Sequence, residues 1–251
     1  IDFNADFGIQ TLQRKLDVLD VDTYAKVMRA AKEADNKPII NEIWTEAYDG
    51  KRKNIDWQDE LTDPSLRQSY NLSVAGGTEK TQSQFSLGWL DNKGIVVNTH
   101  YKRITARANV RTKVADFIEL SGDVNFIHGE SNGSNIGVGN NGNLSSLRDM
   151  AFICPTLDYV YNGEHISPNV ENPDGTFGGV LHGSGGSDGI TAILDNPYAL
   201  QVQQNGKSYN NRMLASANLK IDIIKGLTVN TIVSYNFSAN GSDNHYGQEE
   251  R

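Results

Sequence analysis

No run of about eighteen apolar residues occurs anywhere in the 251 residues, so no helix of this chain is expected to cross a bilayer. Strands escape that exclusion, because a membrane barrel hides its apolar residues in alternation. Basic charge is short: 23 Lys and Arg stand against 31 Asp and Glu, a net charge of -8, which excludes a typical nucleic-acid-binding surface. Cysteine is nearly absent. Cys154 alone cannot staple a fold, and no Cys/His cluster surrounds it. Proline is scarce, and at 37% hydrophobic residues the chain is too polar for a thick α/β core. Aromatics are few but fall in ordered patterns, which excludes full disorder. No signal peptide is visible, and neither Ile1 nor the polar stretch ending at Arg251 reads as a natural terminus.

Catalytic signals are missing too. His100, His128, His165, His182 and His245 are scattered, with no pair at metal-ligand spacing. Gly137–Gly142 matches G-x-G-x-x-G, but a dinucleotide site needs that run between a parallel strand and a helix, so it reads as a flexible Gly/Asn loop. Asp2, Asn4 and Asp6 open like a calcium loop, yet Phe7 stands where Gly is required and Gln13 where Glu is required. No Ser or Cys nucleophile has a recognisable flanking motif. No catalytic residue, metal or cofactor is expected, and the chain is not read as an enzyme.

What is present is period two. Ile1, Phe3, Ala5, Phe7 and Ile9 alternate with Asp2, Asn4, Asp6, Gly8 and Gln10, and successive strand side chains point to opposite faces. The same alternation returns over 70–75, 84–89, 104–111, 118–126, 212–223 and 227–238, giving seven strands. Tight turns at 76–80, 114–116 and 224–226 alternate with long connections at 11–67 and 130–207, and 92–100 is a shorter exception. Short turns at one end and long loops at the other are the build of a transmembrane β-barrel. The polar faces are rich in Asn, Ser, Thr and Gly, as a hydrated lumen would be. Within the first loop, Asp22 is placed to cap a helix over Thr23–Ala34, packed on its own loop. Further short helical pieces are expected near 144–151 and 190–194. Trp44, Tyr48 and Trp57 are the candidate substrate contacts of the loops, since aromatic rings stack on sugars and peptide side chains. The plainer reading is that they anchor the loop fold.

One stretch is more specific. Asp56-Trp57-Gln58-Asp59 precedes Tyr70-Asn71-Leu72-Ser73-Val74-Ala75-Gly76-Gly77-Thr78-Glu79-Lys80-Thr81, and Phe85-Ser86-Leu87-Gly88-Trp89 follows. These residues resemble the SusC/RagA family of TonB-dependent outer-membrane transporters, in which a D-W-Q-D segment precedes a strand of the form Y-N-L-S-x-S-G-G-T-E-K-T, with Ala75 here in place of the second Ser. The resemblance implies a plugged barrel of about 22 strands. It also implies TonB contact through an N-terminal region, a SusD-like surface lipoprotein, surrounding outer-membrane lipid, and an oligosaccharide or peptide substrate, with no nucleic acid. Residues 1–251 are then expected to be the N-terminal part of the barrel, an up-and-down antiparallel segment in the cell outer membrane. Plug and remaining strands are absent from it, and loops 11–67 and 130–207 are extracellular and carry short helices. The rival is a soluble all-β carbohydrate-binding module. In that sandwich the apolar faces pack on each other, whereas in a barrel they form a lipid-facing belt with Trp89, Tyr101 and Tyr235 near its rims.

Overall fold

The computed structural model describes residues 1–39, 45–51, 54–132 and 205–245, with short pieces at 136–137, 143–144, 159–161, 164–165, 179–180, 198 and 201–202. Seven long strands form one sheet: β1 (Asp2–Gln10), β2 (Ser65–Gly77), β3 (Thr81–Lys93), β4 (His100–Ala115), β5 (Ile118–Asn132), β6 (Asn205–Ile224) and β7 (Leu227–His245). Spatial order follows chain order, and every neighbouring pair is antiparallel. The fold is therefore the up-and-down, all-β arrangement that the alternation predicts.

Most strands run further than the alternation does. β5 continues through Gly129-Glu130-Ser131-Asn132, and β6 begins seven residues before Arg212. Backbone ladders need no apolar side chains, so they persist where both faces have turned polar. The long connections are shortened to 11–64 and 133–204 as a result.

The turns show why their residues are there. Between β2 and β3, the Thr78 hydroxyl accepts from the backbone N–H groups of Lys80 (3.3 Å) and Thr81 (3.1 Å). A Cβ on Gly77 would lie 2.3 Å from the Thr81 carbonyl oxygen, so only glycine fits the close of this turn. Gly226 has φ +90°, the left-handed backbone that the Lys225-Gly226 turn needs and that other residues resist.

Helix α1 spans Val21–Ala34, but its cap is Asp20, not Asp22. The Asp20 carboxylate accepts from the Thr23 N–H at 2.7 Å, which also holds its carboxyl below the usual range. Asp22 falls in the first turn and accepts instead from the Gly50 N–H at 3.2 Å. A second, single-turn helix, α2, covers Trp57–Glu60. Residues 145–151 and 190–194, expected to hold helical pieces, lie outside the described residues, and Leu144 closes the two-residue strand Asn143–Leu144. Gly137 of the glycine motif pairs with Asn143 in a short antiparallel ladder, while 138–142 lie outside the described residues.

Among the described residues the buried apolar ones are Val21, Ala25, Ile55, Trp57 and Leu61, and all five belong to the 11–64 connection. Among the described residues the sheet has no such core. Phe3, Phe7, Phe85, Leu87, Ile104, Val233 and Tyr235 are all exposed. Among the described residues the other sheets are ladders of three and two short strands, far too small to cover that face as a sandwich partner would.

Candidate functional site

Register decides which side chains share a face. On one side the rungs read Phe3–Leu72–Leu87–Ala106–Phe126–Met213–Phe237 and, next along, Val74–Phe85–Ala108–Val124–Ala215–Tyr235. From the Ile104 rung to the Ala115 rung this face contains no Asp, Glu, Lys or Arg. That interval is eleven residue steps of β4, roughly 36 Å along a strand, since each step rises about 3.3 Å. A strand tilt of about 40° reduces it to roughly 28 Å, close to the ~25 Å apolar band of an outer-membrane barrel. Charge returns one rung beyond Ile104, with Asp91, Lys102 and Glu130 in one row.

Aromatics mark the same border. The Phe7 and Tyr70 rings meet edge to face with centroids 5.5 Å apart, and Tyr70 lies 5.4 Å from Trp89. Trp89 is thus at the rim, as expected. Tyr101 is not: it pairs with Asn92 and Ser131, on the opposite face. The signal was parity, because Ile104 and Ala106 are even-numbered and Tyr101 is odd. Tyr235 does face the apolar side, but in mid-band rather than at a rim.

The other face reads Asp2–Ser73–Ser86–Arg107–Asn125–Leu214–Asn236 and Asp6–Ser69–Leu90–Arg103–Gly129–Asn210–Asn240. Charge is tolerated here over the same span where the apolar face excludes it. Arg111 grips Glu119 with two nitrogens at 2.8 and 2.9 Å, Arg107 donates to Asn125 at 3.3 Å, and Ser216 donates to Asp123. Two concavities lie against this face. One of about 490 Å³ sits at the long-loop end, beside Tyr101, Ser131 and Asn210. The other, about 180 Å³, lies among Asp2, Arg103 and Arg107.

At the long-loop end the 11–64 connection closes on itself through the D-W-Q-D residues. The Gln58 side chain donates to the Leu16 carbonyl (2.9 Å) and accepts from the Leu16 N–H (2.8 Å), clamping two segments that lie 42 residues apart. Asp56 caps α2 by accepting from the Gln58 N–H at 3.0 Å, and it shares the Lys15 ammonium with Asp59. Burial works to raise the Asp56 carboxyl, but Lys15 and the Gln58 N–H outweigh it and hold the group below the usual carboxylate range. Asp59 and Asp56 in turn raise the Lys15 ammonium.

Of the three aromatic candidates, Trp57 is 3% exposed and fills the loop core. Tyr48 is half-buried in the turn Glu46–Tyr48, which is tied to α1 by a two-pronged Arg29–Asp49 pair (2.9 and 3.0 Å). Trp44 lies outside the described residues. The motif signal pointed to chemistry that packs the loop. The polar-face concavities, built from residues on different strands, carried no local signal.

Comparison with known proteins bears on what this architecture belongs to. No family model matches the chain. TonB-dependent receptor SusC of Bacteroides thetaiotaomicron is 24% identical over 58% of this chain and 14% of its own length. TonB-dependent receptor P3 of Formosa agariphila is 22% identical over 94% of the chain and 20% of its own length. This chain is similar in sequence to SusC-type TonB-dependent receptors. TonB-dependent receptor P39 of Formosa agariphila is similarly related, 26% identical over 45% of the chain. Among solved structures, the RagAB peptide importer in its closed-closed state superposes over 96% of this SusC-like chain and 28% of its own, with a TM-score of 0.67 at 16% identity. The open-open state gives 0.63. The seven strands therefore have the fold of a stretch of TonB-dependent barrel, and they span well under a third of the relatives' length. These homologues are receptors and importers, not enzymes.

Proposed function

We propose that this chain is part of the wall of an outer-membrane barrel that takes up oligosaccharides, or peptides, in a TonB-dependent way beside a SusD-like surface lipoprotein. The observation that carries the reading is the asymmetry of the sheet. One face is free of charge over a bilayer's apolar depth, while the reverse bears Arg, Asp, Asn and Ser along the same strands. A charge in mid-bilayer costs about 2–4 kcal/mol, so a lipid-facing surface excludes it and a watered passage does not. On this reading the apolar band meets outer-membrane lipid, and the polar face lines the passage. The connections 11–64 and 133–204 stand outside the cell, with Tyr48 at the mouth as a candidate substrate contact. Contact with TonB falls to the N-terminal plug region, which these strands do not include. The chain moves substrate without chemistry, and the homologous receptors support this.

The test is whole-cell accumulation of labelled oligosaccharides and peptides by the full-length receptor, with TonB present or deleted. Accumulation that vanishes without TonB is expected. Accumulation that persists without TonB would mean a passive pore, and none for either class would remove the transport reading.

A further inference from the structure

We propose that the concavity beside Tyr101 is a subsite for one pyranose ring of an anionic oligosaccharide. The inference deepens the uptake reading and rests on it. Tyr101 is the one aromatic residue that register places on the polar face of the described strands, and it is 36% exposed there. Its ring passes over Gly129, where an added Cβ would lie 3.3 Å from the hydroxyl oxygen, so the missing side chain is what lets the ring lie flat along the sheet. A flat, partly exposed aromatic ring is a stacking surface for the C–H face of a sugar.

The neighbours suit hydroxyl groups. Ser131 and Ser208 share the Tyr101 rung, and Asn210 donates to Asn240 at 2.5 Å one rung along. That bond uses one donor and one acceptor. The Asn210 carbonyl oxygen and the Asn240 amide nitrogen have no other partner among the described residues. The concavity of about 490 Å³ has room for a monosaccharide unit with its bridging waters.

Charge narrows the class further. Arg103 stands one rung from Tyr101 on the same strand and face, where with Arg107 and Asp2 it lines the neighbouring concavity, and Arg212 stands two rungs along and two strands over on that face. Neither makes an ion pair among the described residues, in contrast to Arg111, which Glu119 neutralises. These two guanidinium groups offer bidentate sites to a carboxylate or sulfate, on backbone positions roughly 7 Å (one rung) and roughly 16 Å (two rungs and two strand spacings) from that of Tyr101. A neutral glycan would leave them unused, and peptides form the counter-set of the test.

The experiment is binding of the purified full-length receptor to an array of neutral, uronate-bearing and sulfated oligosaccharides, with short peptides as the counter-set. Uronate-bearing or sulfated members should bind, weakening as salt rises. Tyr101→Ala should weaken them about tenfold or more, with Tyr101→Phe close to wild type. Gly129→Ala, which tilts the ring without removing it, should fall between. Arg103→Gln with Arg212→Gln should erase the preference for charged over neutral glycans by about tenfold while leaving residual stacking. Binding confined to peptides or neutral glycans, no glycan binding at all, or equal affinity for Tyr101→Ala overturns the subsite. TonB-dependent accumulation of a peptide would keep the transport reading while removing this one, and TonB-independent entry would remove the transport reading whatever Tyr101 does.

Discussion

Replacing Val233 by arginine tests which face meets lipid. Val233 is 67% exposed, and its rung has Tyr235, Phe237 and Ala239 on one side and Thr231, Val229 and Leu227 on the other, so it sits near the centre of the charge-free band. An arginine at the bilayer midplane costs about 2–4 kcal/mol in a transmembrane barrel and about 0–1 kcal/mol near an interface. Val233→Arg should therefore destabilise by about 2–4 kcal/mol, roughly thirtyfold to several hundredfold in the unfolding equilibrium. Ala239→Arg, three rungs nearer the rim, should cost at most about 1 kcal/mol. Ser234→Arg lies next to Val233 in sequence but on the polar face, where Arg107 and Arg111 already stand, and should be close to neutral. Denaturant unfolding of the full-length receptor in phospholipid vesicles, followed by tryptophan fluorescence, reads all three. Equal costs at 233 and 234, or no depth dependence between 233 and 239, would refute the assignment of the faces.

Two further outcomes follow from packing. Trp57→Ala removes the largest of the five buried apolar side chains described in this loop, a loss of about 3–5 kcal/mol that so small a cluster cannot absorb. Hydrogen exchange across 11–64 should rise to that of an open loop while β2 to β6 keep their protection, and unchanged exchange in α1 would contradict the loop core. Gly77→Ala places a Cβ 2.3 Å from a backbone oxygen that cannot swing away, so it should cost about 1–3 kcal/mol. The check is the same unfolding assay with Gly76→Ala, whose Cβ meets nothing within 4 Å, as the mild control.

The strands were legible because a strand's side chains repeat every two residues, and a one-residue error would have turned every face over. Phe85-Ser86-Leu87-Gly88-Trp89 needs no tertiary knowledge to be placed. Strand ends were not legible. Asp91-Asn92-Lys93 is polar on both faces, and only ladder hydrogen bonds reveal that it is still strand. The helix cap was missed by two residues because Asp20 and Asp22 are equally good acceptors in sequence. The choice is made by a distant group, the Gly50 N–H, which takes up Asp22. Trp57 could be read either as a contact or as an anchor, because burial depends on Ile55, Leu61 and Val21 converging from separated segments. The Tyr101 concavity was invisible for the same reason: its residues come from β4, β5, β6 and β7 and meet only once register is fixed.

Two kinds of cohesion therefore operate in one chain, and among the described residues a short hairpin helps tie them together. The sheet has ladders but no water-excluded core of its own, so its apolar band depends on its surroundings. The 11–64 connection has a small core of its own, with Val21, Ala25, Ile55, Trp57 and Leu61 buried. Residues 94–99 lie between the two. Val97 donates to the Leu61 carbonyl at 3.1 Å, and Asp63 donates to the Ile95 carbonyl at 2.8 Å, which fastens the loop core to the β3–β4 link. On its other side the same link accepts from the Gln201 side chain at Val97 (2.8 Å), and Asn98 donates to the Gln201 carbonyl at 2.9 Å. Asn98 holds φ 57°, a left-handed backbone that asparagine adopts more readily than most residues. The hairpin that looked like an exception to the long loops is thus the piece that lets 11–64 and the approach to β6 share one frame. Those hydrogen bonds tie both connections to the β3–β4 link.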